Sequence, residues 1–258
     1  MRNLFVLWKK EMVESSKNGK WIWLPIVFMI IGITQVFTNY YLPEIMEHAG
    51  NLPDGTIISI PTPTGPEVIA GVLSQFGTIG TLLFVLATMG VMSNERVSGA
   101  VTLVMVRPVS ALQYVSSKWL GQLLIAIASF CASYLITWYY TNQLFSSVDW
   151  LVVWQSFLIY SLWIVLIVSI TIFAGTIFKG NGAIAGISVL FLGLLSVLTT
   201  LLPKFMKWSP ANLREHATII LMGQPAQDHL VLTIVSTIVL CVAFFALAVI
   251  RFGRAEQY

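Results

Sequence analysis

The chain has 258 residues, of which 57% are hydrophobic and only 10% are charged, and its mean hydropathy is +0.84. Water-soluble domains carry roughly 45–50% apolar and about 25% charged residues, so this composition excludes an ordinary soluble fold. The formal net charge of +3 is too small to indicate a nucleic-acid partner. We expect one integral membrane domain over residues 1–258, with no room for a fused catalytic or nucleotide-binding domain.

The first twenty residues predict an amphipathic helix that lies on the inner membrane face. A step of 100° per residue brings four apolar side chains onto one arc, namely Leu4, Phe5, Trp8 and Met12. Most of the charged side chains of this segment fall on the opposite side, as is typical of an interfacial helix. The alternative is a solvated basic tail.

Six apolar segments are long enough to cross a bilayer, which needs roughly 20 residues in a helix. Their predicted limits are about Trp21–Tyr40, Ile69–Met92, Ser117–Tyr140, Leu151–Phe178, Gly182–Leu202 and Leu230–Ile250. Lys118, at the edge of the third segment, is counted with the loop before it. No other Asp, Glu, Lys, Arg or His lies in these segments. We therefore expect an all-α integral membrane protein with six transmembrane helices and an uncharged interior.

The distribution of basic residues predicts the orientation, because Lys and Arg near the ends of spans stay cytoplasmic. With six spans and an inner N-terminus, 11 of the 14 Lys and Arg residues fall on the inner side. The remaining three, Lys204, Lys207 and Arg214, fall outside. Both termini are expected in the cytoplasm.

Two segments on the predicted outer side are longer than a turn. Tyr41–Val68 holds five of the ten prolines, so it is expected to form an external loop that does not continue the first helix. Pro203–His229 combines basic and apolar residues and predicts a short outer helix, either amphipathic or re-entrant, between spans five and six.

Residues that could perform enzyme or metal chemistry are scarce. The sequence has no phosphate-binding loop, no HExxH zinc motif and no GxSxG nucleophile motif. Its three histidines lie in or beside the outer segments, where surface histidines are the ordinary interpretation. We expect no catalytic residue, no metal and no cofactor bound by this chain. The amides Gln35, Gln75, Gln122 and Gln155 either line a polar path or join helices by hydrogen bonds.

The inner segment Ser93–Lys118 carries the most functional information. It reads SNERVSGAVTLVMVRPVSALQYVSSK and mixes the charges of Glu95, Arg96 and Arg107 with apolar side chains. The apolar positions are Val101, Leu103, Val104 and Met105. Pro108 ends one helical piece and Ser110 can cap the next. A short charged helix with apolar anchors is suited to docking a cytoplasmic partner, although an interfacial linker is the alternative.

In the order of these parts the sequence resembles the permease subunits of bacterial ABC-2 type transporters. The specific residues of the resemblance are Glu95-Arg-x-x-Gly99, Leu103, Arg107-Pro108-x-Ser110, Tyr114 and Lys118. The resemblance implies a six-helix half-transporter in a bacterial plasma membrane that pairs with a second permease, identical or different. It also implies two separate ABC ATP-binding subunits, which hold the ATP and magnesium and receive Gly99–Val106 as a coupling helix.

Spans two and five tend to line the path and the dimer seam in that family. The corresponding candidates here are Gly71, Gln75, Gly77, Gly182 and Gly186. The first external loop is shorter than in the larger members, which argues against an outer protein-docking domain. The predicted function is the permease subunit of an ATP-driven exporter, without its own ATPase site. The alternative is a non-transport scaffold or regulatory subunit that recruits a cytoplasmic partner.

Overall fold

The computed structural model describes residues 2–49, 62–99, 109–225 and 228–255. These residues are helical apart from short connections. The helices are α1 (Arg2–Lys17), α2 (Lys20–Ala49), α3 (Gly65–Gln75), α4 (Thr81–Val97), α5 (Ala111–Leu144), α6 (Trp150–Ile177), α7 (Asn181–Leu201), α8 (Asn212–Leu221) and α9 (Leu230–Ala255). A π-helical turn, Phe76–Gly80, joins α3 to α4.

Six helical segments in the described part of the chain are long and apolar enough to cross a membrane. They are α2, α3 with α4, α5, α6, α7 and α9, and each covers one of the six predicted segments to within one residue. The all-α class with six candidate spans is therefore confirmed. The short helix predicted between spans five and six is present as α8.

The prediction for the first loop is wrong at both of its ends. Helix α2 continues through Pro43 to Ala49, and α3 already begins at Gly65. Proline inside a membrane helix is tolerated where neighbouring groups satisfy the freed backbone. At the start of α3 the Thr64 amide donates to Glu67 Oε2 at 2.7 Å, which completes a helix start that sequence inspection placed four residues later.

The start of α5 agrees with the sequence. The Ser110 hydroxyl accepts from the Gln113 amide at 3.2 Å, and the Ser110 amide donates to Gln113 Oε1 at 3.3 Å. These two bonds form a capping box, which satisfies donors that the first helical turn leaves free. Residues 100–108 lie outside the described residues, and they include five of the residues predicted to contact the ATPase, namely Val101, Leu103, Met105, Arg107 and Pro108.

The spans form a core of three and a periphery of three. In an apolar 18-residue stretch of each of the spans Gly65–Val97, Ala111–Leu144 and Trp150–Ile177, more than half of the residues are buried. In the corresponding stretches of α2, α7 and α9, less than a quarter of the residues are buried. Aromatic rings fill the core, where Phe130 stacks on Phe157 and on Tyr160 with centroids 5.2 and 5.0 Å apart.

The topology can be tested with single cysteines in a background in which Cys131 and Cys241 are replaced by alanine. Cysteines at Ser98 and Lys179 should react only with a reagent delivered to the cytoplasmic face. Cysteines at Asp149 and Lys207 should react only from outside. With an inner N-terminus, the connections after spans three and five lie outside, and those after spans two and four lie in the cytoplasm. Labelling of Ser98 and Lys207 from the same side would contradict the six-span arrangement with an inner N-terminus.

Candidate functional site

A buried ion network joins α1, α4 and α5 at one end of the bundle. The Lys118 side chain of α5 is 1% exposed, and its Nζ lies 2.6 Å from Glu11 Oε1 of α1 and 3.1 Å from Glu95 Oε1 of α4. Glu95 also accepts hydrogen bonds from Lys10 Nζ and from the Tyr114 hydroxyl. We call these five residues, Lys10, Glu11, Glu95, Tyr114 and Lys118, the α1–α4–α5 network.

The network depends on residues that lie far apart in the sequence. Buried charges are stable only when they are paired and hydrogen-bonded, and here each carboxylate meets at least one ammonium group. Burial raises the pKa of the Glu11 carboxyl, and the charge and hydrogen bond of Lys118 oppose that shift. The Tyr114 ring stacks on Phe252 of α9, with centroids 4.6 Å apart, which connects the last helix to the same site.

The side of α1 that packs against the protein is not its apolar arc. Glu11 and Ser15 are the buried side chains, whereas Phe5 is 61% exposed and Leu4 and Trp8 are only partly covered. Met12 is the residue of the apolar arc that packs against the core. Gly121 makes the close approach possible, because a Cβ there would lie 3.1 Å from Met12 Cε and 3.3 Å from Glu11 Cβ.

The burial of Glu11 is not predicted from the sequence, because hydropathy assigns charged residues to the exposed side of a helix. Lys118 belongs to the residues of the family resemblance, but its role in a buried ion network is not predicted, because it is counted with the loop. The available signal was its position within the third apolar segment, since a charge inside a span is usually paired or functional.

The end of α4 also holds the neighbouring spans together. Arg96 Nη1 donates to the carbonyl oxygens of Gly175 at 3.3 Å and Thr176 at 2.8 Å, at the C-terminus of α6. A cation there satisfies carbonyls that the last helical turn leaves free. The Ser93 hydroxyl donates to the Asn181 side chain, which in turn donates to Asn94 Oδ1 at 3.1 Å. Glu95 and Arg96, predicted as partner contacts, therefore make their described contacts within the chain.

Three carboxylates of this region, those of Glu11, Glu14 and Glu95, offer oxygens within 4.8 Å of one another. Such a group could in principle hold a cation. The Lys118 ammonium already contacts Glu11 and Glu95, and the Lys10 ammonium contacts Glu95 and lies 3.9 Å from Glu14. Two ammonium groups therefore already pair with these three carboxylates, which is the arrangement of a structural ion network.

The candidates for a path or a seam separate into two groups. Gly71 and Gln75 face Gln35 of α2, and Gln75 donates a hydrogen bond to the Gln35 side chain. This pair of amides joins two helices, as one of the two interpretations predicted. Gly182 and Gly186 of α7 have open space where a Cβ would be, so they lie on an uncovered face.

Gly77 has a different neighbour, the Arg214 side chain of α8. Arg214 Nη1 donates to the Gly77 carbonyl oxygen at 3.1 Å, and the guanidinium carbon lies 5.0 Å from the centre of the Trp163 ring. Gly77 and Trp163 both lie in the middle third of their spans. The prediction of an uncharged interior is therefore wrong, because a residue from the segment between spans five and six reaches into the bundle.

Helix α8 packs mainly against α6 and α3 and buries Leu213, His216, Ala217 and Leu221. This favours the re-entrant alternative for Pro203–His229 over a helix that lies flat on the surface. His216 is 1% exposed, contrary to the prediction of surface histidines, and its ring lies 5.0 Å from the His229 ring. Hydropathy along the chain does not register such tertiary burial.

The fold and these sites define a multi-pass α-helical membrane protein with a charged network at one end and a charged residue within the bundle. The family model "Protein of unknown function (DUF2705)" matches residues 27–258, and the chain belongs to this family. It is also 40% identical over 259 residues to the "Uncharacterized transmembrane protein YxlG" of Bacillus subtilis (strain 168), a match that covers 100% of both chains.

The α1–α4–α5 network should contribute strongly to stability. Lys118→Met keeps the length of the side chain but leaves two buried carboxylates side by side, which should cost about 3–5 kcal/mol of the free energy of unfolding. Adding Glu11→Gln should recover part of that loss, because one uncompensated charge is then removed. The measurement is the thermal unfolding temperature of the purified protein in detergent.

Lys9→Met is the matched control, because Lys9 is exposed on α1. It should change the stability by no more than about 0.5 kcal/mol. Equal unfolding temperatures for Lys118→Met and the unchanged protein would show that the network does not stabilise the fold.

Proposed function

We propose that this chain is the membrane-spanning permease subunit of an ATP-driven exporter of the ABC-2 type. In this proposal it pairs with a second permease in a bacterial plasma membrane, with both termini in the cytoplasm. Separate ABC ATP-binding subunits bind ATP and magnesium and act on the segment Gly99–Val106. The chain itself hydrolyses no ATP and transmits the movement to its helices.

The observation that carries the proposal is the position of the α1–α4–α5 network. Glu95 lies in the last turn of α4, and Lys118 lies two turns into α5, so the network ties together the helices on either side of the coupling segment. A force applied between these helices would reach α1 at the same time through Glu11. Rigid packed elements transmit displacement between sites, whereas loosely held loops absorb it.

The backbone at the end of α4 supports the proposal that the coupling segment is separate from this helix. Gly99 has φ of +72°, a conformation that L-residues with a side chain rarely adopt. Glycine in this conformation is the usual end of a helix, so α4 stops before the coupling segment begins. Glu95 and Arg96 then act as positioning residues that hold the segment at the base of the spans.

The uncovered face of α7 supports pairing with a second permease. Gly182 and Gly186 leave open space on it, and the spacing of four residues allows another helix to approach closely. Leu190 and Leu194, further along the same helix, are 68% and 53% exposed. Lipid would cover these residues in a single subunit, and a second permease would cover them in the proposed transporter.

The coupling role can be tested by purifying the tagged full-length chain from its native membranes in a mild detergent. We expect a protein that hydrolyses ATP to co-purify, and the chain alone to show no ATPase activity. Leu103→Ala should reduce the amount of bound ATPase about tenfold or more, because an apolar anchor at the centre of an interface contributes a large part of the binding energy.

Leu201→Ala is the control, because Leu201 is 69% exposed at the opposite end of its span from the network. It should leave the amount of bound ATPase unchanged. A co-purifying partner without ATPase activity would favour the scaffold alternative. Normal ATPase binding by Leu103→Ala would exclude the proposed coupling segment.

A further inference from the structure

A cavity of about 550 Å³ lies between α3, the π-helical turn, α7 and α8. Its volume is within the range of small-molecule sites, which is about 300–1,000 Å³. Apolar residues such as Ala70, Leu73 and Pro203 form part of the wall. Hydroxyl groups form much of the rest, from Ser74, Thr78, Ser196, Thr199, Thr200 and Thr218.

Arg214 brings a positive charge to the wall of this cavity. Among the described residues no carboxylate lies within 4.0 Å of its guanidinium group, in contrast to Lys118 at the other end of the bundle. Its described contacts are two backbone carbonyls, of Gly77 and Ala211, and the face of the Trp163 ring. A cation within a membrane bundle is costly and is usually paired or functional.

The surroundings of Arg214 hold the guanidinium group in one place. The Gly77 carbonyl accepts both from Arg214 Nη1 and from the Thr81 hydroxyl, and the Trp163 indole donates to that hydroxyl at 3.3 Å. Gly77 leaves the space that the guanidinium fills, since a Cβ there would lie 2.9 Å from Nη1. A π-helical turn of this kind is frequent at functional sites.

The held guanidinium retains donors for a ligand. It has five N–H groups, and its hydrogen bonds to the carbonyl oxygens of Gly77 and Ala211 use two of them. The planar arrangement of the others matches the oxygens of a carboxylate or a phosphate. The exposed Glu215 also lines the cavity, and its negative charge opposes the binding of an anion.

We propose that this cavity binds the acidic headgroup, a carboxylate or a phosphate, of an amphiphilic molecule, with Arg214 as the residue that contacts the headgroup. The cavity lies among membrane spans, so a ligand must carry apolar groups in order to reach it. The neighbouring Leu201 and Leu202 are 69% and 46% exposed and offer an apolar surface for the rest of the molecule. This binding does not depend on transport or on an ATPase.

The test uses the full-length chain in nanodiscs of zwitterionic phosphatidylcholine, with no other protein present. The probe is 11-(dansylamino)undecanoate, a fatty acid whose binding is followed by energy transfer from tryptophan. Dodecyl phosphate should displace it, whereas dodecanol, which lacks the charge, and inorganic phosphate, which lacks the chain, should not. Displacement by inorganic phosphate at the same concentration would instead indicate a site for a soluble anion.

Arg214→Gln should weaken probe binding about tenfold or more, as expected for the loss of a charge-assisted hydrogen bond. Gly77→Ala, which displaces the guanidinium without removing it, should weaken binding as well. Glu215→Gln should leave binding unchanged or strengthen it, because it removes the opposing charge.

Lys207→Gln is the matched control, because Lys207 is an exposed cation that does not line the cavity. It should leave probe binding unchanged. Equal probe affinity in the unchanged protein, Arg214→Gln and Gly77→Ala, each confirmed as folded by its unfolding temperature, would overturn the assignment. Equal weakening by Lys207→Gln would reduce it to a general attraction of surface charge.

Discussion

The contact of the Lys118 ammonium with two carboxylates is the interaction on which this end of the molecule depends. It joins α5 to α1 and to α4, and a buried ammonium group would be strongly unfavourable without both partners. The other contacts of this end extend from the same helices. Tyr114 reaches α9 through Phe252, and Arg96 reaches the C-terminus of α6. The buried charge of Lys118 therefore lies at the centre of the contacts that join the helices at this end of the bundle.

The two charged sites of the bundle solve the problem of burial in different ways. At the α1–α4–α5 network, carboxylates and ammonium groups neutralise one another, which gives a fixed structure without a demand for a ligand. At Arg214, within the described part of the chain, the charge is met by carbonyl dipoles and an aromatic ring. Dipoles and a ring stabilise a cation less than a carboxylate does, so this site retains affinity for an anion. A paired site suits mechanical connection, and an incompletely paired site suits binding.

The sequence predicts the spans well because hydropathy is a local property. All six apolar segments appear as helices, and the Ser110 cap is found where its side chain indicated. The continuation of α2 through Pro43 was missed because proline is a strong local signal against a helix in water, whereas membrane helices tolerate it. The burial of Glu11 was missed because its partner lies 107 residues away. No local pattern contains such a pair.

Arg214 shows that a residue assigned to a loop from the sequence can reach the interior of a membrane bundle. A count of basic residues treats it as one of three outer charges in the predicted orientation. The count does not register that α8 folds back against α6 and α3 and brings the side chain to Gly77. The guanidinium fits beside Gly77 because glycine has no Cβ. From the sequence, this glycine is a candidate for close helix packing. Gly77 can thus serve either close helix packing or the accommodation of a charged side chain. The position of α8, which brings Arg214 to Gly77, favours the second role.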